Sequence, residues 1–281
     1  MINRLKTAYL ILHVKIGRLH TDIMNIFITY GDEKYTESKK RIVEEAKYTG
    51  MFDKIIDYSP MDISKNTKDS ILMNYSKGGG LWIWKPDVLL STINNAHDGD
   101  KIVYADAGCT LRRSKEWINL FRELDYCSMY AMKINQRTFH WTKKEVIEFF
   151  NSNPIGWTKE YQCCATIILK VDEFTKKFIN EWLNIMTLYP EFVVDVSPEE
   201  KILQHEGFYE NRHDQTIYNA LIYKYKNTGK IKLAWEHIEG YDMIWPQAIV
   251  ATRLKDGRKI TAKFKIIGTI KCIVKHILRL F

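Results

Sequence analysis

A chain of 281 residues that is 46% hydrophobic and 27% charged carries enough apolar material for one large domain or two small ones. Its net charge of +8 belongs to the two ends: Lys255 to Phe281 holds eight Lys or Arg against one acid, Asp256, and residues 1–21 hold Arg4, Lys6, Lys15 and Arg18 with no acid. That separation argues against a nucleic-acid-binding body, which would place its basic stripe on the folded domain. The five cysteines lack the C-x-x-C spacing of a zinc site or redox pair and read as reduced cytosolic thiols. No apolar run reaches the ~20 residues of a membrane span. Lys15 also interrupts the N-terminal apolar run, and no small-residue cleavage site follows, which argues against a secretory signal.

In chain order, residues 1–21 form a basic amphipathic lead-in, and Met24 offers a second start just before the first strand. Ile26 to Tyr30 reads as a buried strand ended by Gly31, Glu37 to Thr49 as a helix with Ile42, Val43 and Ala46 inward, and Lys54 to Tyr58 as a second strand. Strand, helix, strand with short links predicts a parallel crossover whose first strand opens at Thr29, Tyr30 and Gly31 onto a ligand crevice. The stretch Gly78-Gly-Gly-Leu-Trp-Ile-Trp-Lys-Pro86 has two readings: a glycine turn before a Trp-anchored element, or a segment in which two flat rings and Lys85 meet a ligand. After a helix over Asp87 to Asn95, the strand from Lys101 runs into Asp106-Ala107-Gly108. This is either an Asp-Gly-type turn or a carboxylate at the end of a buried strand, beside a glycine that lets phosphate or metal approach.

Ser114 to Leu124 reads as a helix, Cys127 to Met132 as a strand, and Thr142-Lys-Lys-Glu145 as a capping box opening a helix to about Phe150. Gln162 to Leu169 is a strand candidate, and Asp172 to Tyr189 is an amphipathic helix whose Phe174, Phe178, Trp182, Ile185 and Met186 face a core. Ser197-Pro-Glu-Glu200 starts another helix. Glu210-Asn-Arg-His-Asp-Gln215 precedes a helix over Thr216 to Tyr225, so Asp214 is either its cap or, with His213, a reactive group held at its positive end. From Lys263 to Phe281 the helical wheel separates Phe264, Ile267, Ile270, Ile273, Val274, Ile277, Leu278 and Phe281 from Lys265, Lys271, Lys275 and Arg279. Such a helix lies in an anionic membrane surface or docks its stripe on its own core; the lack of acids favours the membrane.

With the Gly-rich Trp-x-Trp-Lys-Pro, the strand-terminal Tyr-Ala-Asp-Ala-Gly and the later Arg-His-Asp-Gln in this order, the chain resembles bacterial GT-A type glycosyltransferases that build capsular, lipopolysaccharide or other surface glycans. The resemblance spans about Ile26 to Tyr225. It implies an α/β, Rossmann-like nucleotide-sugar-binding domain with a mixed, mostly parallel central sheet over residues 22–250, between the 1–21 lead-in and a 251–281 amphipathic tail. It implies sugar transfer from a nucleotide-sugar, a UDP-sugar by expectation, to a glycan or lipid-linked glycan at the cytoplasmic face of the cell membrane, without nucleic acid. The donor would meet Thr29, Tyr30, Gly31, Gly80, Trp84, Lys85, Asp106, Ala107 and Gly108, and the acceptor Trp141 and Gln162. Asp214 would act as base, with His213 and Gln215 orienting the sugars. The family's Asp-x-Asp metal motif matches Asp106-Ala107-Gly108, so one carboxylate is left to hold Mn²⁺ or Mg²⁺, with His213 or His237 to complete the site. Without metal, Lys85 and Arg112 or Arg113 would neutralise the leaving diphosphate. Two other classes compete. A nucleotidyltransferase would place a glycine-rich phosphate loop after the first strand, where Gly31 stands alone. A non-catalytic basic membrane-surface protein explains the tail and leaves the motifs near 80, 106 and 214 without a role.

Overall fold

The computed structural model describes residues 23–150, 156–255 and 258–278. The 1–21 lead-in, Asp256, Arg279 and Phe281 lie outside the described residues. The chain begins with β1 (Asn25–Tyr30), α1 (Thr36–Thr49) and β2 (Lys54–Tyr58), followed by α2 (Trp84–Asn94) and β3 (Lys101–Tyr104). The period-two alternation of β1 sends Ile26, Ile28 and Tyr30 to one face of the sheet and Phe27 to the other, where Ile42 and Ala46 of α1 cover it. Next come β4 (Thr110–Leu111), α3 (Glu116–Tyr126), β5 (Met129–Arg137), α4 (Lys144–Phe150), β6 (Tyr161–Cys163), β7 (Ile167–Lys170) and α5 (Glu173–Leu188). The chain continues through α6 (Asp214–Tyr225), β8 (Ile231–Trp235), β9 (Ile249–Val250) and α7 (Ala262–Leu278).

β1 pairs in parallel with β2 and β3, β3 and β5 both run antiparallel to β7, and β5 runs antiparallel to β6 and parallel to β8. Met129 pairs with both Leu169 and Ile231, and Lys133 with both Cys163 and Trp235, so β6 and β7 share one edge of β5 and β8 takes the other. The seven-stranded sheet is therefore mixed: β6 and β7 oppose the common direction of the other five strands. Helices cover both faces. The side chains of Val88, Leu89, Phe178, Trp182 and Leu221 form one core layer; Trp117, Phe121 and Leu124 join Ile42 in the other. β4 and β9 form a separate two-stranded antiparallel ribbon.

Two local expectations change, and one strand has no counterpart among them. The strand expected over Gln162 to Leu169 is broken into β6 and β7 at residues 164–166, where the backbone turns to line a cleft. The capping box expected at Thr142 is not made. Its hydroxyl donates to Thr138 O (2.8 Å), and the Lys144 N–H goes instead to Gln204 Oε1 (2.7 Å), so a distant side chain caps α4. β8 was not read from the sequence at all; it is half-exposed, and its Lys-rich neighbourhood hides the alternation.

Candidate functional site

Parallel strands deliver their carboxyl ends to the same edge of a sheet. The ends of β1 and β3, with the break between β6 and β7, open onto a cleft of about 700 Å³. Thr29, fully buried, ties the two strand ends together by donating to Ala105 O (2.9 Å). Past it, Tyr30 stacks on Trp84 with centroids 3.7 Å apart and planes 14° apart, forming an aromatic wall. Trp84 Nε1 donates to Gly78 O (2.8 Å), which links that wall to the glycine run. Residues 78 to 82 all have positive φ: 61°, 58° and 97° for the glycines, 52° for Leu81 and 63° for Trp82. This left-handed turn needs its glycines, because Leu81 and Trp82 each cost about 1–2 kcal/mol in that conformation. At Gly80 a β-carbon would also fall 2.5 Å from Met73 Sδ. Such strain beside a cleft is typical of a ligand-shaping segment.

Asp106 stands on the cleft wall with its side chain about half exposed (52%), and Tyr104 Oη donates to its Oδ1. Behind it lies a buried pair. Lys85 Nζ is 3.0 Å from Asp214 Oδ2 and 3.8 Å from Asp106 Oδ1, with side-chain exposures of 2% for Lys85 and 6% for Asp214. Burial works against the Lys85 charge, but Asp214 and then Asp106 outweigh it and hold its pKa above the ordinary value. Burial pushes the Asp214 carboxyl up to about 6, against the pull of Lys85. The pair lies directly beneath Asp106, which it presents to the cleft.

The opposite wall comes from the end of the chain. Leu254 N–H (3.0 Å) and Thr252 Oγ1 (2.8 Å) both donate to Gly108 O, drawing residues 252–254 across it. A β-carbon on Gly108 would meet Arg253 Cα at 3.4 Å, an ordinary contact, so the 252–254 segment lies directly against the position where the second carboxylate of the motif would stand. Arg253, at φ 52°, reaches Glu239 through both terminal nitrogens (2.9 and 2.5 Å), and both residues line the cleft with Lys34, Lys255 and Arg212.

Of the expected donor residues, Tyr30, Gly31, Trp84, Asp106, Ala107 and Gly108 line the cleft, whereas Thr29, Gly80 and Lys85 lie behind its wall. Of the expected catalytic residues, Gln215 lines it, with its amide set by donation from Nε2 to Cys163 O (2.7 Å). Asp214 is beneath the wall. His213, strained at φ 52°, turns to Asp195 (Nε2 to Oδ1, 2.9 Å) and packs on Trp82. Burial lowers its pKa, with Asp195 opposing. The acceptor candidates lie off the cleft. Trp141 is covered by the Arg212 guanidinium at 4.0 Å, and Gln162 is fully buried with neither amide atom hydrogen-bonded. Arg253, Glu239 and the 164–166 turn were missed. They come from segments without period, and the stretch after residue 250 was assigned to the tail.

Neither imidazole completes a metal site at Asp106. His213 is held by Asp195, and the two nitrogens of His237 face Glu116 (3.1 Å) and Asp242 (2.9 Å). Among the described residues, the His/Cys/Asp/Glu group close enough to hold an ion is His237, Asp242 and Cys272, which excludes Asp106. A protein-held metal does not fit at Asp106; an ion there would rely on one carboxylate and on oxygens of its substrate. Of the alternative cations, Arg112 is taken up by Asp242 O (2.5 Å) and Gln247 Oε1 (3.0 Å), and Arg113 is exposed and off the cleft.

No protein-family model and no curated protein sequence matches the chain. Among solved structures it is similar to the galactosyltransferase LgtC in complex with donor and acceptor sugar analogs (16% identity, 74% of this chain and 73% of that one, TM-score 0.40). It is also similar to the WbbM bifunctional glycosyltransferase (10%, 76% and 39%, TM-score 0.45) and to mouse xyloside xylosyltransferase 1 (7%, 74% and 84%, TM-score 0.41). At TM-scores below 0.5 these likenesses decide nothing about the chemistry, which is read from this chain's own residues.

Proposed function

We propose that the chain is a GT-A type glycosyltransferase that moves a sugar from a nucleotide-sugar, a UDP-sugar by preference, to a glycan or lipid-linked glycan of the bacterial surface. The observation that carries this reading is the presentation of Asp106: a half-exposed carboxylate backed by a buried Lys85–Asp214 pair, between a stacked aromatic wall and a cationic one. Displacing a nucleoside diphosphate requires stabilisation of the departing charge. Arg253, Lys34, Lys255 and Arg212 line the cleft and suit that task, Arg253 by exchanging Glu239 for phosphate oxygens. Tyr30 and Trp84 offer a flat face for the base, and Gly31 and Gly108 let a ligand approach the backbone.

Asp106 faces the donor's reacting end. Asp214 is a positioning residue in this scheme: its charge keeps Lys85 protonated, and Lys85 sets the Asp106 carboxylate. Gln215, oriented from Cys163, orients the transferred sugar. A divalent ion, Mn²⁺ or Mg²⁺, would have Asp106 as its one protein carboxylate here and would supply positive charge to the leaving group; Arg253, Lys34, Lys255 and Arg212 supply charge without it.

Membrane attachment at the inner face of the cell membrane is the second part of the proposal. α7 docks through Gly268, Thr269 and Cys272, leaving Ile266, Ile270, Val274, Ile277 and Leu278 half-exposed or more. The apolar stripe is thus not used on the chain's own core, and a continuous apolar face beside Lys263 and Lys271 suits an anionic lipid surface. Among the described residues no helix is long and apolar enough to cross a membrane.

The deciding experiment is a screen of the purified protein against nucleotide-sugars, with and without Mn²⁺, reading thermal stabilisation and slow donor hydrolysis. One donor should stabilise the protein and be turned over, and Asp106→Ala should lose the turnover. No response to any nucleotide-sugar, or hydrolysis undiminished in Asp106→Ala, would refute the reading.

A further inference from the structure

A second cluster of chemistry lies where α7 meets the loop after β8, and the local sequence makes the meeting close. A β-carbon on Gly268 would fall 2.3 Å from Tyr241 N and 2.9 Å from Tyr241 O, so the helix backbone rests directly on the loop. Gly240, at φ 101°, answers from the other side, its own β-carbon position 3.1 Å from Gly268 O. Thr269 Oγ1 donates to Tyr241 O (3.1 Å), and the Met243 N–H donates to Thr269 Oγ1 (3.2 Å).

This crossing brings Cys272 of α7 against His237 and Asp242 of the loop. One imidazole nitrogen, the thiol sulfur and one carboxylate oxygen lie within 4.8 Å of one another. Asp242 is fully buried and Cys272 is 3% exposed. The outer contacts are those that orient metal ligands. His237 Nδ1 is 3.1 Å from Glu116 Oε1, whose other oxygen accepts the Ala248 N–H (2.5 Å). Asp242 Oδ1 accepts from Ile244 N (2.8 Å) and Trp245 N (3.0 Å), which leaves Oδ2 directed at His237 Nε2 (2.9 Å). His276, one turn beyond Cys272, stacks on Trp245 with centroids 4.3 Å apart, has its ring 6.2 Å from that of His237, and lines the same small recess. Lys275 also borders the recess, but its ammonium is held by Glu236 (2.5 Å) and Glu239 O (2.9 Å).

We propose that His237 Nε2, Asp242 and Cys272 bind a borderline-soft divalent cation such as Zn²⁺, with His276 as the fourth ligand, and that the cation fastens α7 to the domain. An N/O/S donor set suits zinc; Mg²⁺ and Mn²⁺ favour oxygen. Loading releases the Cys272 thiol proton and, where His237 is charged, its Nε2 proton, so the ion replaces the hydrogen bond that now joins His237 to Asp242. The Glu116 contact holds Nδ1 as the donor and turns the Nε2 lone pair toward the ion. None of the four proposed ligands lines the cleft, and the site is independent of the sugar-transfer reading.

The test uses the full chain, freed of metal by chelator and titrated with Co²⁺ and Zn²⁺. Co²⁺ should give a thiolate charge-transfer band that saturates at one equivalent and is displaced by Zn²⁺. The band should vanish in Cys272→Ser and persist in Cys109→Ser, a buried thiol elsewhere, with far-ultraviolet dichroism checking that each is folded. Glu116→Gln should weaken Zn²⁺ about 10–100-fold. X-ray absorption of the wild-type zinc complex should show sulfur in the coordination shell, a readout that needs no variant to fold. Absence of the band, its survival in Cys272→Ser, or a zinc shell without sulfur would each overturn the proposal.

Discussion

The Lys85–Asp214 pair beneath the cleft and the Arg253–Glu239 pair on its wall both tie separate segments together, but in different solvent. Lys85 and Asp214 have side-chain exposures of 2% and 6%, whereas Arg253 and Glu239 are 72% and 33% exposed. A pair shut away from water cannot lose one member without leaving the other stranded; an exposed pair can turn to solvent or to a ligand. Around the loop the close fastening is done by backbone contact at Gly240 and Gly268, so the Arg253–Glu239 pair remains available for exchange. The cleft thus combines a rigid anionic presentation, Asp106 over a buried pair, with a cationic wall able to change partners.

The largest effect that would break this comparison is on stability. Lys85→Met leaves the Asp214 carboxylate buried and alone, and should cost about 3–5 kcal/mol in denaturant unfolding. The double variant Lys85→Met/Asp214→Leu should recover most of that loss, because two apolar groups need no partner. Arg253→Ala should cost less than about 1 kcal/mol. Equal losses at Lys85 and Arg253 would mean that the two networks do not differ as their burial implies.

Function should rank the residues differently. Asp106→Asn removes a half-exposed charge and should leave the melting temperature nearly unchanged, while donor turnover falls about 10²–10³-fold, the usual effect of losing one electrostatic group aimed at a transition state. Arg253→Ala should weaken nucleoside diphosphate binding about tenfold by calorimetry, the value of one charge-assisted hydrogen bond. A larger binding loss in Asp106→Asn than in Arg253→Ala would reverse the roles given to the two walls.

Asp214 sharpens the contrast through pH. Its carboxyl is pushed up to about 6 by burial, so it takes up a proton more readily folded than unfolded between its ordinary value near 4 and about 6. By linkage this group therefore favours the fold on the acid side and disfavours it above about pH 6, while turnover, which needs the charged pair, should fall as pH drops through about 6. Relative to wild type, Asp214→Asn should be more stable at pH 7 than at pH 5. A wild-type rate profile flat from pH 7 to pH 5 would remove the pair from the mechanism.

How much of this was legible in the chain follows the same division. β1, α1, β3 and α5 could be read because their apolar periods run for whole elements; Tyr30, Gly31 and Asp106 stood out because they follow such strands beside glycine, and Trp84 because it comes just after the glycine run. Lys85 carried the right charge, but its partner Asp214 is brought in by α6, and no local pattern marks that contact. Gln162 and Trp141 were chosen by residue type alone; β6 turns Gln162 inward and Arg212 covers Trp141. Arg253 and Glu239 flank a two-residue strand, too short for any period, and the crossing over Gly108 that brings the wall together is a tertiary contact.

The smallest effect concerns the outward face of α7. Ile270 and Ile277 are 56% and 50% exposed on a helix whose inner face already has its contacts, so neither substitution should disturb the fold. If this face lies in lipid, each side chain completes its burial there. Trimming Ile270 to alanine then removes apolar surface worth about 1 kcal/mol, at about 0.8 kcal/mol per buried CH₂ and partial exposure. Partition onto anionic vesicles should fall about fivefold for Ile270→Ala and by a similar factor for Ile277→Ala, near-multiplicatively in the double variant because each contacts lipid independently. Lys271→Gln should weaken binding in low salt and have little effect in high salt, since an exposed charge acts on the headgroups through solution. Sedimentation with vesicles measures all four variants. Unaltered partition in the Ile270→Ala/Ile277→Ala protein would show that this face meets something other than a bilayer.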